Sequence, residues 1–133
     1  MTIVADTHVL IWYFSQNPKL SATVNALLEQ TEAQGGVIYL ASISIVEIIY
    51  LIERSKIPLT AFDQLKQFLL NADSTWQVIP LDLAIAQTLQ HIDRITVPEM
   101  PDRIIAATAL HLNLPLVTRD HKIQALQNVQ TIW

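Results

Sequence analysis

An α/β fold with a parallel sheet covered on both faces is predicted by three observations. Five short apolar runs of strand length alternate with longer segments in which apolar residues recur at helical spacing. The 133 residues are close to the usual size of one domain, and 51% of them are hydrophobic, enough for a sizeable core. Four carboxylates, Asp6, Glu47, Asp102 and Asp120, each fall where such a chain would end a strand or begin a helix. An open parallel sheet gathers the carboxyl ends of its strands along one edge, so acids far apart in sequence can meet there. Residues 1–133 are therefore expected to form a single domain.

The elements follow in order. Ile3 to Ala5 reads as the first strand, and Asp6 precedes the apolar helical start Thr7-His8-Val9-Leu10. Asp6 could cap that helix through its amides or point out of the sheet edge toward a cation. Thr7 is either the cap itself or a hydroxyl supporting the acid. Ser21 opens a helix over Ala22 to Gln34, which Gly35-Gly36, the only two glycines, stop ahead of a strand from Val37 to Leu40. The helix Ser42 to Arg54 has almost no polar face, and such a helix is buried or lies in a subunit interface. Glu47 is the charge in its early turns. Ser44-x-x-Glu47 matches a capping box, in which the Glu reaches back to the cap amide, although a Glu there could also ligate a metal.

Thr60 with Asp63 opens a predicted helix over Ala61 to Asn71, with Phe62, Leu65, Phe68 and Leu69 on one stripe. Trp76 to Ile79 is the third strand, and Asp82 caps the helix bearing Leu83, Ile85, Ala86 and Leu89. Pro98 and Pro101 mark a loop. Asp102 stands before the small-residue helix Arg103-Ile104-Ile105-Ala106-Ala107-Thr108-Ala109-Leu110, where it could be an N-cap. Leu116 to Thr118 is the fourth strand, Asp120 a potential cap for the helix with Ile123 and Leu126, and Val129 to Trp133 the fifth strand.

Composition narrows the chemistry. With no cysteine, any metal must be held by oxygen or imidazole, and His8, His91, His111 and His121 lack metal-ligand spacing. Clustered carboxylates favour hard cations such as Mg²⁺. The net charge of −4, from 8 Lys and Arg against 12 Asp and Glu, argues against coating nucleic acid by general attraction. It is compatible with a nuclease, because a bound divalent ion reverses the local sign. Val9 to Phe14 is too short to span a bilayer, and a cytoplasmic location is expected. Arg103 and Arg119, each beside an acid, are candidates to orient a carboxylate or contact phosphate. Asp93 and Glu99 are candidate outer acids. Ser42 and Ser44 lack a nucleophile elbow.

In order, Asp6-Thr7-His8-Val9-Leu10-Ile11-Trp12, Ser42-x-Ser44-x-x-Glu47, Pro101-Asp102-Arg103-x-Ile105-x-Ala107-x-Ala109 and Leu116-Val117-Thr118-x-Asp120 resemble the PIN domain. The short form is similar to the VapC toxins of bacterial toxin–antitoxin pairs. The resemblance implies a PIN-like three-layer fold with a five-stranded parallel sheet of order 3-2-1-4-5. It implies Mg²⁺ or Mn²⁺ held by Asp6, Glu47, Asp102 and Asp120, with Thr118 supporting a ligand. It also implies hydrolysis of RNA phosphodiesters, a homodimer and a small antitoxin partner. In such chemistry a metal lowers the pKa of a bound water, and a second ion roughly 3.5–4 Å away stabilises the leaving oxygen. Glu99-Met100-Pro101 departs from the toxin relatives, which often carry an aromatic residue before the acid matching Asp102.

Rival acidic-pocket folds fit less well. A response-regulator receiver needs adjacent acids after strand one, and a haloacid-dehalogenase-type phosphatase needs Asp-x-Asp, where this chain has Ala5 before Asp6 and His8 after it. The alternative reading is a catalytically inactive PIN-like scaffold that binds RNA or a partner protein. The apolar helix, with Trp12, Tyr13 and Tyr50, is expected to bury a dimer or partner surface beside a basic rim of Arg54, Lys56 and Arg103.

Overall fold

A computed structural model describes residues 1–133. Five strands, β1 (Thr2–Ala5), β2 (Val37–Ala41), β3 (Trp76–Ile79), β4 (Leu116–Val117) and β5 (Thr131–Ile132), form one parallel sheet of order β3-β2-β1-β4-β5. Seven helices connect them: α1 (Thr7–Phe14), α2 (Ala22–Ala33), α3 (Ser42–Glu53), α4 (Leu59–Leu70), α5 (Leu83–Thr88), α6 (Met100–Leu112) and α7 (His121–Gln124). The predicted fold class and strand order are those observed.

Successive strand residues point to opposite faces, and both faces are covered. On one face Ile3, Ala5, Ile38, Leu40, Trp76 and Val117 pack with Val9, Leu10, Val24, Leu28, Ile48 and Leu65. On the other, Val4, Ala41 and Leu116 pack with Ile85, Ile92, Ile105, Ala106, Ala109 and Ile123. Burial on both sides explains why the strands read as unbroken apolar runs rather than alternating ones. The small residues of α6 sit fully buried, which lets this helix lie close to the sheet.

Local capping sets several boundaries. Ser21 Oγ accepts from Val24 N, and Asp82 Oδ1 accepts from Ile85 N, as predicted. Gly35 takes φ +69 after α2. A side chain on Gly36 would strike the Met1 carbonyl, so the second glycine is needed for close approach. Two predicted starts are corrected. The helix assigned to Ala61–Asn71 runs from Leu59 to Leu70 with Pro58 at the N-cap, so Thr60 and Asp63 lie inside it and neither caps it. The helix α6 begins at Met100, so Asp102 lies inside its first turn and is not the N-cap; Glu99 holds that position without a side-chain bond. No helix is long and apolar enough to cross a membrane.

Candidate active site

The registers Ala5↔Val117 and Val4↔Leu116 set the ends of β1 and β4 side by side. The residues that follow are therefore neighbours. Asp6, only 3% exposed, caps α1 by accepting from Thr7 N at 2.7 Å through Oδ1. Its Oδ2 accepts from the fully buried Thr118 hydroxyl at 2.7 Å. Thr118 Oγ1 also accepts from Asp120 N at 3.0 Å, so one hydroxyl ties the two acids together. Asp120 Oδ1 caps α7 by accepting from Lys122 N and Ile123 N at 2.8 and 3.1 Å. Both acids thus serve as helix caps at the sheet edge, and capping leaves the second oxygen of Asp120 without a protein donor.

Glu47 is held differently from the capping box. The strand β2 runs straight into α3 with Ala41 at the N-cap, which puts Ser44 inside the first turn and Glu47 beyond reach of the cap amide. Ser44 and Glu47, three residues apart, share the face turned to α1. The Thr7 hydroxyl lies 2.6 Å from Glu47 Oε1 and 2.8 Å from the buried Ser44 Oγ. Having one proton, it donates to the carboxylate and accepts from the serine. Ser42, two residues earlier, instead accepts from Leu81 N at 3.1 Å and anchors the loop after β3. Neither serine is a cap.

Arg103 is corrected as well. Its Nη2 donates to the carbonyls of Leu89 and Ile92, both at 3.0 Å, and its buried Nε has no partner. It staples the turn before α6 and does not pair with Asp102 or join a basic rim. Asp93 is exposed and bound to Thr96, whereas the charge of Glu99 bears on both Asp102 and Glu47. His91 and His111 lie outside the site, and His121 stands exposed at its rim.

The four acids bear on one another electrostatically. Burial, followed by the charges of Asp6, Asp120, Glu47 and Glu99, pushes the Asp102 carboxyl up to about 7. Burial also raises Glu47, against the pull of its bond from Thr7, with Asp6 and Glu99 adding to the rise. No Lys or Arg ion pair relieves the cluster; its single charged contact is His8 Nδ1, 3.5 Å from Asp6 Oδ2. His8 Nε2 accepts from Arg119 N at 3.1 Å, which leaves the ring proton on Nδ1, facing the acid. Burial holds the imidazole pKa below its usual value, outweighing Asp6 and Asp120.

A crowded set of hard oxygen donors without a balancing cation fits a divalent ion. No three of these groups are already drawn tightly enough together to hold one, so binding would require the carboxylates to close further.

The raised Asp102 pKa carries a stability consequence. Between about pH 4 and 7 the folded chain keeps a proton that the unfolded chain has lost, so the stability this group contributes is full at acid pH and falls as pH rises. Solvent screening of the half-exposed carboxylate trims the effect to ~1 kcal/mol. Metal-free wild type is expected to lose thermal stability relative to Asp102→Asn between pH 5 and 7.5, measured by circular dichroism. Parallel pH profiles would contradict it.

Sequence reading placed the acids but missed Ser44 as a contact of the site. That contact joins residues 37 apart and has no local signal. It also missed a groove of Trp12, Arg119 and Lys122 beside Asp120.

Comparison with known proteins agrees with this geometry. The PIN domain family model matches residues 3–129. A chain in the structure of VapBC2 from Rickettsia felis bound to a promoter DNA fragment is 20% identical, with 99% of this chain and 98% of that one covered at a TM-score of 0.74. DNA-bound VapBC from Salmonella typhimurium gives 19% identity, 99% and 97% coverage and 0.74. A toxin–antitoxin complex from Klebsiella pneumoniae gives 22%, 98% and 96%, and 0.67. At such identities the likeness is one of fold. A search of curated proteins found no match. With its motifs in order, its sheet order matched and the family model spanning nearly its whole length, the chain belongs to the PIN domain family.

Proposed function

We propose that this protein is a metal-dependent endoribonuclease and the toxin of a toxin–antitoxin pair, acting in the cytoplasm. The observation that carries the reading is the convergence of Asp6, Glu47, Asp102 and Asp120 from four separate segments on one sheet edge, with no Lys or Arg paired to them. In this reading the four carboxylates hold Mg²⁺ or Mn²⁺. When bound, the ion supplies activation of the attacking water and neutralises charge building on the phosphate in the transition state.

The chain's own residues prepare that site. Thr118 fixes the Asp6 carboxylate and, through Asp120 N, the turn that carries Asp120. Thr7 orients Glu47. Asp102 gives up the proton it holds near neutrality when a cation arrives, so binding strengthens as pH rises. No nucleophilic side chain is called for.

Two surfaces support the partner assignments. A groove of about 470 Å³ between α1, α3 and α4, lined by Leu10, Ile11, Phe14, Ile48, Ile57 and Leu65, suits the apolar face of an antitoxin helix. The toxin–antitoxin complex from Klebsiella pneumoniae, of like fold, favours the same partner. On α3, Val46, Ile49 and Tyr50 are 45%, 38% and 56% exposed, an apolar face that a homodimer would bury.

The test is to purify the expressed protein, remove any small co-purifying partner, and incubate it with RNA. Cleavage is expected with Mg²⁺ or Mn²⁺ and none with EDTA. Absence of cleavage by folded, metal-supplied protein would favour the inactive scaffold instead.

A further inference from the structure

The chain has eight Lys and Arg residues against twelve acids, and Arg103 is consumed internally. Two of the others lie by a single ring, and a third lines the groove beside it. The Arg119 guanidinium lies 5.7 Å and the Lys19 ammonium 5.8 Å from the Trp12 centroid. Lys122 joins Trp12, Arg119 and His121 around an open groove of about 510 Å³ whose floor reaches His8 and Asp120. The ring is braced: His8 packs 4.8 Å from it, and Trp133 meets it edge-on at 6.1 Å. Since His8 also contacts Asp6, the aromatic strip is continuous with the acid cluster.

A fixed aromatic ring with mobile cations around it matches one kind of ligand. An unpaired base stacks on the ring while its phosphates take the cations, and a base inside a duplex cannot offer its face. Arg119 and Lys19 are exposed long side chains, free to leave the ring for phosphate as a base arrives, and the exposed Lys122 stands beside them in the groove. The acid cluster repels a polyanion until a metal binds, so a positive approach on one side of it steers the strand.

We propose that Trp12, flanked by Arg119, Lys122 and Lys19, is the subsite for an unpaired nucleotide beside the phosphate to be cut, and therefore a specificity-determining residue. This rests on the ribonuclease reading and adds to it the residue that receives an unpaired base. It places recognition on the α1 and α7 side of the acids, next to the apolar groove assigned to the protein partner, which Trp12 also lines.

The test is fluorescence anisotropy of an end-labelled, mixed-sequence single-stranded RNA with the whole protein, with Ca²⁺, another oxygen-seeking cation, in place of Mg²⁺ and the probe shown intact on a gel, and in EDTA. Stacking on one aromatic residue predicts that Trp12→Leu weakens binding about tenfold, while Trp12→Phe keeps most of it. The same substitutions are expected to change binding of an RNA duplex less than about twofold. The double variant Arg119→Ala with Lys122→Ala is expected to reduce the slope of log affinity against log salt by about 1.4, two phosphate contacts at about 0.7 each. Lys66→Ala, on the exposed face of α4, leaves binding unchanged. If Trp12→Leu does not fold, the Phe variant and the exposed double variant decide the matter. Single-strand binding indifferent to Trp12 and to both cations, or absent in wild type, overturns the subsite even if the protein cleaves RNA. Trp12-dependent binding without metal-dependent cleavage keeps the subsite and removes the nuclease reading.

Discussion

Asp6→Asn and Asp102→Asn are each expected to reduce metal-dependent RNA cleavage by at least about a hundredfold, because loss of a ligand exceeds the 10–100-fold typical of losing a ligand's supporting hydrogen bond. Each change keeps the side chain's shape and removes its charge. At position 6 the amide oxygen can still accept from Thr7 N, so the α1 cap survives. At position 102 the change relieves repulsion from Asp6, Asp120, Glu47 and Glu99. Metal-free Asp102→Asn is therefore expected to melt a few degrees above wild type at pH 7.5, as ~1 kcal/mol gives for a chain of this size. Time courses on denaturing gels, with circular dichroism to confirm folding, check both effects. Cleavage at the wild-type rate by both variants would assign the activity to another site or to a contaminant.

Thr118→Val is the second large effect, because this side chain is wholly buried and serves two acids at once. Valine has the same shape but can neither donate to Asp6 Oδ2 nor accept from Asp120 N. The orphaned amide and carboxylate should cost about 1–3 kcal/mol of stability each at most, and metal affinity should fall about 10–100-fold. Thr118→Ser retains the hydroxyl and is expected to recover most of the affinity. Isothermal titration with Mn²⁺ reads the difference; Val and wild type within twofold would show that Thr118 has only a packing role.

What was legible in the sequence follows from how locally each feature is encoded. The strands could be read because both sheet faces are buried, which makes Ile3 to Ala5, Val37 to Leu40 and Trp76 to Ile79 short unbroken apolar runs. Asp6 and Asp120 could be placed because an acid between a strand and a helix has a geometric reason to be there, and both do cap the next helix. Helix starts without a capping side chain were harder. Ala41, Pro58 and Glu99 hold the N-cap positions of α3, α4 and α6 without side-chain bonds, so nearby Ser44, Thr60 and Asp102 were better-looking candidates by local pattern. Contacts made across the fold left no local trace. The Thr7 bond to Glu47 joins residues 40 apart, and Arg103 turns from its neighbour Asp102 to carbonyls 11 and 14 residues earlier. Trp12 read as part of an apolar run, and only folding brings Arg119 and Lys122 to it.

The acid cluster as a metal-dependent nuclease centre is tested most directly by anomalous diffraction from crystals soaked in Mn²⁺. The expected result is a peak bonded to an Asp6 oxygen and to at least one of Glu47, Asp102 and Asp120, with oxygen ligands completing an octahedron. Mn²⁺ bound elsewhere, or no ion at this sheet edge at millimolar concentration, would contradict it.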